Sequence, residues 1–266
     1  MAITLPTAGR FVEIFSYRDL VRNLVVRDLK VRYKQSALGF LWSLLNPLLM
    51  MVVFSVVFTV MMPNRQVSAF PAFILAGLLP WNWCATSVSA STVSVVGNGT
   101  LIKKVYFPRE LLPVSIVLSN MVNFLLALIV LIVVLFAYAL YPSWVLIYLP
   151  VIIAIQVIFL TGLALLLSSL DVFYRDTEVI VEVVVLAWFF LTPVFYDIGA
   201  LMPNSARIIY WINPMASIVE SYRLIFYNRA APDLAFLVRT FFTSFIVFVI
   251  GWLTFQHFSP RFGEEL

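Results

Sequence analysis

The chain has 266 residues, of which 63% are hydrophobic, 16% aromatic and only 11% charged, with 17 Lys and Arg against 13 Asp and Glu for a net charge of +4. A soluble domain carries about 25% charged residues, so this composition cannot clothe a compact soluble fold, and the chain is an integral membrane protein with no sizeable soluble domain. At about 20 apolar residues per crossing, its length holds roughly six to eight spans.

No apolar core followed by a small-residue cleavage site opens the sequence, so no cleaved leader is expected and the first span serves as the insertion signal. Ser16-Tyr17-Arg18-Asp19 matches a capping box, which predicts a helix over residues 16–34. Tyr17, Leu20, Val21, Leu24 and Val25 share one face of it, while Arg18, Asp19, Arg22, Asn23 and Lys30 point the other way. A basic amphipathic helix directly before a span lies in the cytoplasmic headgroup plane. It either anchors only or also docks a cytoplasmic partner.

Long apolar runs predict spans at 38–62, 70–96, 112–140, 144–170, 179–196 and 236–258. Turn signals separate them at Pro63-Asn64-Arg65, Gly97-Asn98-Gly99, Tyr141-Pro142-Ser143 and from Asp171 to Glu178. Uncharged polarity marks the first three spans: Ser43 and Asn46, then Asn82, Thr86, Ser87, Ser89, Ser91, Thr92 and Ser94, then Ser115, Ser119, Asn120 and Asn123. Aromatic residues accompany it at Trp42, Phe54, Phe58, Trp81 and Trp83, and the fifth span ends in Phe189, Phe190, Phe195 and Tyr196. Residues 197–228 are neither hydrophilic nor long enough to cross twice; an apolar stretch breaks at Asn213-Pro214 and a short helix with Glu220 and Arg223 follows. Such a segment reads as a re-entrant helical hairpin entering from the outer face.

The predicted fold is therefore an all-α membrane protein, one transmembrane domain over residues 1–266, with six spans, an N-terminal amphipathic interface helix and the hairpin before the last span. Six spans put both termini on one side. That side holds Arg10, Arg18, Arg22, Arg27, Lys30, Arg32, Lys34, Lys103, Lys104, Arg109, Arg175 and Arg261, against Arg65, Arg207, Arg223, Arg229 and Arg239 opposite. The positive-inside rule makes both termini cytoplasmic.

Charged groups inside a membrane mark proton and ion relays, and the central parts of spans one to four and six carry none. Glu178, Glu182 and His257 sit at span ends, so a proton- or sodium-coupled carrier is disfavoured, although unwound backbone can bind sodium without any charge. One His and one Cys, Cys84, exclude the usual zinc sets. Asp171 and Asp176, around Tyr174-Arg175, read as a solvated turn. No Gly-x-x-x-x-Gly-Lys-Ser/Thr loop is present, so ATP is not bound by that device. The polar groups of the spans either pack helices closely or line a conduit. In the second reading Trp42, Asn46, Phe54 and Phe58 form one stripe, and aromatic faces with hydroxyls suit a long neutral or mildly anionic glycan.

The run of residues 27–47, RDLKVRYKQSALGFLWSLLNP, closely resembles the opening of ABC-2 type permeases that export cell-surface polysaccharides of the O-antigen, capsule and teichoic-acid types. Gly77-Leu78-Leu79-Pro80-Trp81, Leu101-Ile102-Lys103-Lys104-Val105-Tyr106-Phe107-Pro108, Asp171-Val172-Phe173-Tyr174-Arg175-Asp176 and Asn213-Pro214-Met215 extend the resemblance to most of the chain. It implies a half-transporter in the bacterial cytoplasmic (inner) membrane: two copies of this chain form the channel for a lipid-linked polysaccharide, and two copies of a separate ATPase drive it. ATP and magnesium would then belong to the partner, with no cofactor or catalytic site in this chain and no nucleic-acid partner. The resemblance assigns ATPase coupling to residues 98–108, here Asn98, Gly99, Leu101, Lys103, Lys104, Val105, Tyr106, Phe107 and Pro108. It assigns a cytoplasmic gate loop to Arg32, Tyr33, Lys34, Gln35, Ser36 and Gly39, and an outer gate to the 197–228 hairpin with Asn213, Pro214, Glu220 and Arg223. The lining of the channel is expected from Trp42, Asn46, Phe54, Phe58, Trp81, Trp83, Phe189 and Tyr196. The alternatives are a membrane-embedded transferase acting on lipid-linked sugars, for which Asp171, Asp176 and Glu178 are the candidate groups, and an ion-coupled lipid-glycan flippase.

Overall fold

The computed structural model describes residues 17–34, 39–58, 67–201 and 206–266. All regular elements among them are helical. In chain order they are α1 (Arg18–Tyr33), α2 (Trp42–Val56), α3 (Phe70–Thr92), α4 (Gly99–Lys104), α5 (Leu111–Ala137) and α6 (Leu149–Phe173). Then come α7 (Thr177–Leu191), α8 (Ile198–Leu201), α9 (Ala206–Ile212), α10 (Pro214–Phe226), α11 (Leu234–Phe258) and α12 (Phe262–Glu265). Among the described residues three helical stretches are long and apolar enough to cross a bilayer: Leu111–Ala137, Trp144–Phe173 and Leu234–Glu265. The segment Trp42–Val56 is apolar but shorter.

Helix α3 is the axis of the molecule, with Ile74, Leu75, Ala76 and Leu78 all fully buried. Its Pro80 cannot donate a backbone bond, and the buried Gln156 of α6 reaches across to donate to the Pro80 carbonyl at 2.8 Å. Helices α6 and α11 approach each other through glycine. A Cβ on Gly251 would run into the Gly162 carbonyl, and one on Gly162 would meet the backbone of Phe248. Small residues at a crossing let backbones come this close where lipid supplies no hydrophobic drive.

A second core gathers the opposite end of the bundle: Leu24 of α1, Ile102 of α4, Phe107, Leu111 and Leu112 of α5, Phe255 of α11 and Phe262 of α12. Tyr17, Leu20 and Val21 pack on it while Arg18, Asp19, Arg22 and Asn23 stay exposed, so α1 lies with its apolar face on the body of the protein. Ser16 of the expected capping box lies outside the described residues, and α1 starts at Arg18 with no side-chain cap from Tyr17.

Helices α2, α7 and α11 remain poorly covered, with Leu234, Val238, Phe242, Ile246 and Ile250 of α11 facing outward. On α7 only Thr177 and Val181 are buried, and Val179, Ile180, Val183, Val184, Leu186 and Phe190 face outward. On α2 the same holds of Leu49, Met50, Val52, Val53 and Val56.

Candidate translocation path and coupling surface

The hydroxyls of the spans largely satisfy themselves. Thr86 bonds the Asn82 carbonyl at 2.7 Å, Thr92 that of Val88 at 2.8 Å, Ser115 that of Leu112 at 2.8 Å and Ser119 that of Ile116 at 3.0 Å. Each returns its proton to the preceding turn of its own helix. Among the amides, Asn120 has neither polar atom partnered among the described residues.

The expected stripe on α2 separates into two places. At about 100° per residue, positions 42, 46, 54 and 58 drift over about 160°, too wide for one face. Trp42 and Asn46 border a cavity of about 260 Å³ between α2, α3 and α5, with Arg32 also on its wall. Arg32 and Thr86 also border a neighbouring space of about 410 Å³ that holds Glu178 and Glu182 of α7. Phe54 and Phe58 instead join an aromatic cluster toward the other end, stacking on Phe195 at 6.3 and 5.4 Å between centroids. Phe189 belongs to it, 5.5 Å from Phe195.

Trp81 and Trp83, two residues apart on α3, face opposite ways. Trp81 sits edge-on to Trp188 at 5.7 Å and beside Phe189 at 5.6 Å. Trp83 stacks on Phe124 at 4.9 Å and donates to the Val117 carbonyl at 3.2 Å, away from that cluster. Both indoles are buried. Tyr196 folds back to donate to the Phe190 carbonyl at 3.1 Å.

The residues expected at the outer gate form a clamp. Asn213 starts α10 by accepting from the Ala216 N–H, ahead of Pro214, which costs no bond at this position. Its Oδ1 also accepts from the Trp188 indole at 3.0 Å and its Nδ2 donates to Thr192 at 3.0 Å, so one amide ties α7 to α10. Arg223 is buried and donates to the carbonyls of Tyr196 at 3.2 Å and Val194 at 2.5 Å, with its guanidinium 3.9 Å over the Phe73 ring. Gly77 of α3 makes room for this: a Cβ there would stand 3.0 Å from both the Arg223 Nη2 and the Val194 carbonyl. Glu220 lies beside the guanidinium, lining one small pocket together with Arg223, Asp197 and Tyr227. Sequence reading places Arg223 at a gate but not in this role, because the carbonyls it holds lie 27 and 29 residues earlier in the chain.

Of the expected coupling residues, Lys103, Lys104 and Val105 are exposed and Tyr106 projects with 88% of its surface free. Phe107 does not join them; it is buried in the second core, so the pair Tyr106-Phe107 splits into an outward and an inward residue. Asn98 accepts from Arg27 of α1 at 3.2 Å and donates to the Ser94 carbonyl at 2.8 Å, tying the connector to the N-terminal helix. Arg109 donates to the Ser259 carbonyl, and Gln256 to Glu110. Of the expected gate loop, Arg32 and Lys34 are exposed, Gly39 opens a 3-10 turn, and Gln35 and Ser36 lie outside the described residues. Asp171, one of the candidate transferase groups, is buried at the end of α6.

Residues 19–227 match the family described as ABC-2 type transporter. The chain is 38% identical over 255 residues, 96% of its own length and 98% of the relative's, to the O-antigen export system permease protein RfbA of Myxococcus xanthus. It is 36% identical over 249 residues, 93% of its length and 95% of the relative's, to the protein of the same name from Klebsiella pneumoniae.

Proposed function

Because the chain belongs to the ABC-2 type transporter family, we propose that it is the channel-forming half of an exporter that moves a lipid-linked cell-surface polysaccharide, of the O-antigen kind, across the bacterial cytoplasmic membrane. The observation that carries this is identity of 38% along 98% of an O-antigen export permease. In this reading ATP and magnesium are bound and ATP is hydrolysed on a separate ATPase, and this chain supplies the path.

The six-span topology with cytoplasmic termini accommodates α2, α3, α5, α6, α7 and α11 as crossings, with α9 and α10 as a re-entrant hairpin below the outer face. The uncovered apolar faces of α2 and α7 support a second copy of the chain at that seam. A conduit between two copies related by an axis along the membrane normal has room for a polymer that a single bundle lacks. The exposed Lys103, Lys104 and Tyr106 support the α4 connector as the ATPase contact, since a basic rim around one aromatic anchor is how such interfaces are built.

The test is complementation. Expressed with its own ATPase in a bacterium lacking its O-antigen export permease but supplied with the matching glycan, the chain restores surface polysaccharide. Glycan that accumulates inside the cell despite normal insertion of both chains contradicts the proposal.

A further inference from the structure

Four asparagines converge on the cavity between α2, α3 and α5: Asn46, Asn82, Asn120 and Asn123. Asn120 is only 1% exposed, and both its Nδ2 and its Oδ1 find no partner among the described residues. A donor and an acceptor orphaned together are rare in a protein interior, and each one asks for an explanation. At 1.5 Å rise per residue, Asn120 and Asn123 stand about 14–18 Å along α5 from its first turn, well inside a hydrocarbon layer about 30 Å thick. Thr86 on the same wall bonds its own helix, so the Asn120 amide is polarity that helix packing has not absorbed.

The chemistry of the lining selects a ligand. Each primary amide offers two donors and one acceptor oxygen, which matches a vicinal hydroxyl pair, itself both donor and acceptor. Trp42, partly exposed, and the Trp83–Phe124 stack add aromatic surface to the same wall. Arg32 is the one charged group among the described lining residues, too little to hold a polyanion, and the carboxylates Glu178 and Glu182 line the neighbouring space instead. About 260 Å³ suits a single ring rather than a chain. We propose that this cavity, within one copy of the chain, is a binding site for one neutral pyranose ring, held by the Asn120 amide and its neighbouring asparagines against Trp42. The inference rests on the export function proposed above for why a sugar should reach this depth.

The test uses the purified full-length chain in lipid nanodiscs and saturation-transfer NMR. The probes are methyl α-D-glucopyranoside, methyl α-D-mannopyranoside and methyl α-D-galactopyranoside, with sodium pyrophosphate and glycerol beside them. At least one glycoside binds the wild-type chain, and Asn120→Leu weakens it by about tenfold, the loss of about 1.4 kcal/mol. Trp42→Leu, at a position 45% exposed, weakens it similarly. The proposal is overturned if no glycoside binds at up to about 100 mM, if both variants bind as the wild type does, or if pyrophosphate alone binds. Glycan export by the same variants in cells separates the two readings. A wild-type chain that exports nothing defeats the function while leaving the sugar titration to stand on its own. Full export by a stable Asn120→Leu variant that has lost glycoside binding defeats the site's part in transport and leaves the function intact.

Discussion

Replacing Arg223 by Met tests whether the guanidinium fastens the turn after α7 to α10. Met keeps the apolar bulk over Phe73 but removes the bonds to the Tyr196 and Val194 carbonyls and the contact with the ring. Hydrogen bonds from a charged donor are worth about 1.5–3 kcal/mol each, and a desolvated cation–π contact about 2 kcal/mol. Against that stands the desolvation cost of a buried charge, which the Met variant no longer bears. The balance is a loss of about 3 kcal/mol, a large share of a marginal stability of about 5–15 kcal/mol. For a chain of this size that lowers the thermal midpoint by roughly 6–12 °C. Lys in the same place keeps the charge but not the fork, and it falls between the two. The protein carries its own reporter: Cys84 is its single cysteine and is buried at 1% exposure, so a thiol-reactive fluorophore lights up only as the bundle opens. A Met variant whose midpoint stays within about 2 °C of the wild type refutes the clamp.

Gly251→Ala forces its methyl into the Gly162 carbonyl and costs about 1–3 kcal/mol of overpacking, read by the same Cys84 assay as a lowered midpoint. Asn213→Ala strips Trp188, Thr192 and the first turn of α10 of one shared amide and lowers stability by about 1–3 kcal/mol; an unchanged midpoint would show that water takes over those bonds. Phe107→Ala opens a void in the second core and costs about 3–5 kcal/mol, whereas Tyr106→Ala, at a site 88% exposed, leaves the midpoint unchanged and lowers glycan export per ATP hydrolysed. Equal effects of the two substitutions on stability would contradict their assignment to opposite sides of the connector.

Local signals in the sequence translate directly where a single helix decides the matter. The apolar set Leu20, Val21 and Leu24 is the packed face of α1 because its period alone fixes which side faces the body. Asn213-Pro214 opens α10 because a cap and a proline at the first turn need no tertiary context. Where two elements decide, the sequence is silent. Trp81 and Trp83 look alike in a row of aromatics, yet two residues on a helix are about 200° apart, so one faces Trp188 and the other Phe124. Phe107 looks like an interface anchor beside Tyr106 until α11 and α12 supply the Phe255 and Phe262 side chains of the core that buries it. The same holds of Asn120: among the fifteen serines, threonines and asparagines of the first three expected spans, only the packing of three helices shows which amide is left without a partner.

The central claim, that this chain is the passive path of a transporter powered by a separate ATPase, is met most directly by reconstitution. Proteoliposomes holding the chain and its ATPase, loaded with lipid-linked glycan, are assayed for delivery of the glycan to the opposite leaflet. The account predicts translocation only when both chains and ATP with magnesium are present, with no ATP hydrolysis by this chain alone. Translocation by the isolated chain under a proton or sodium gradient would contradict it.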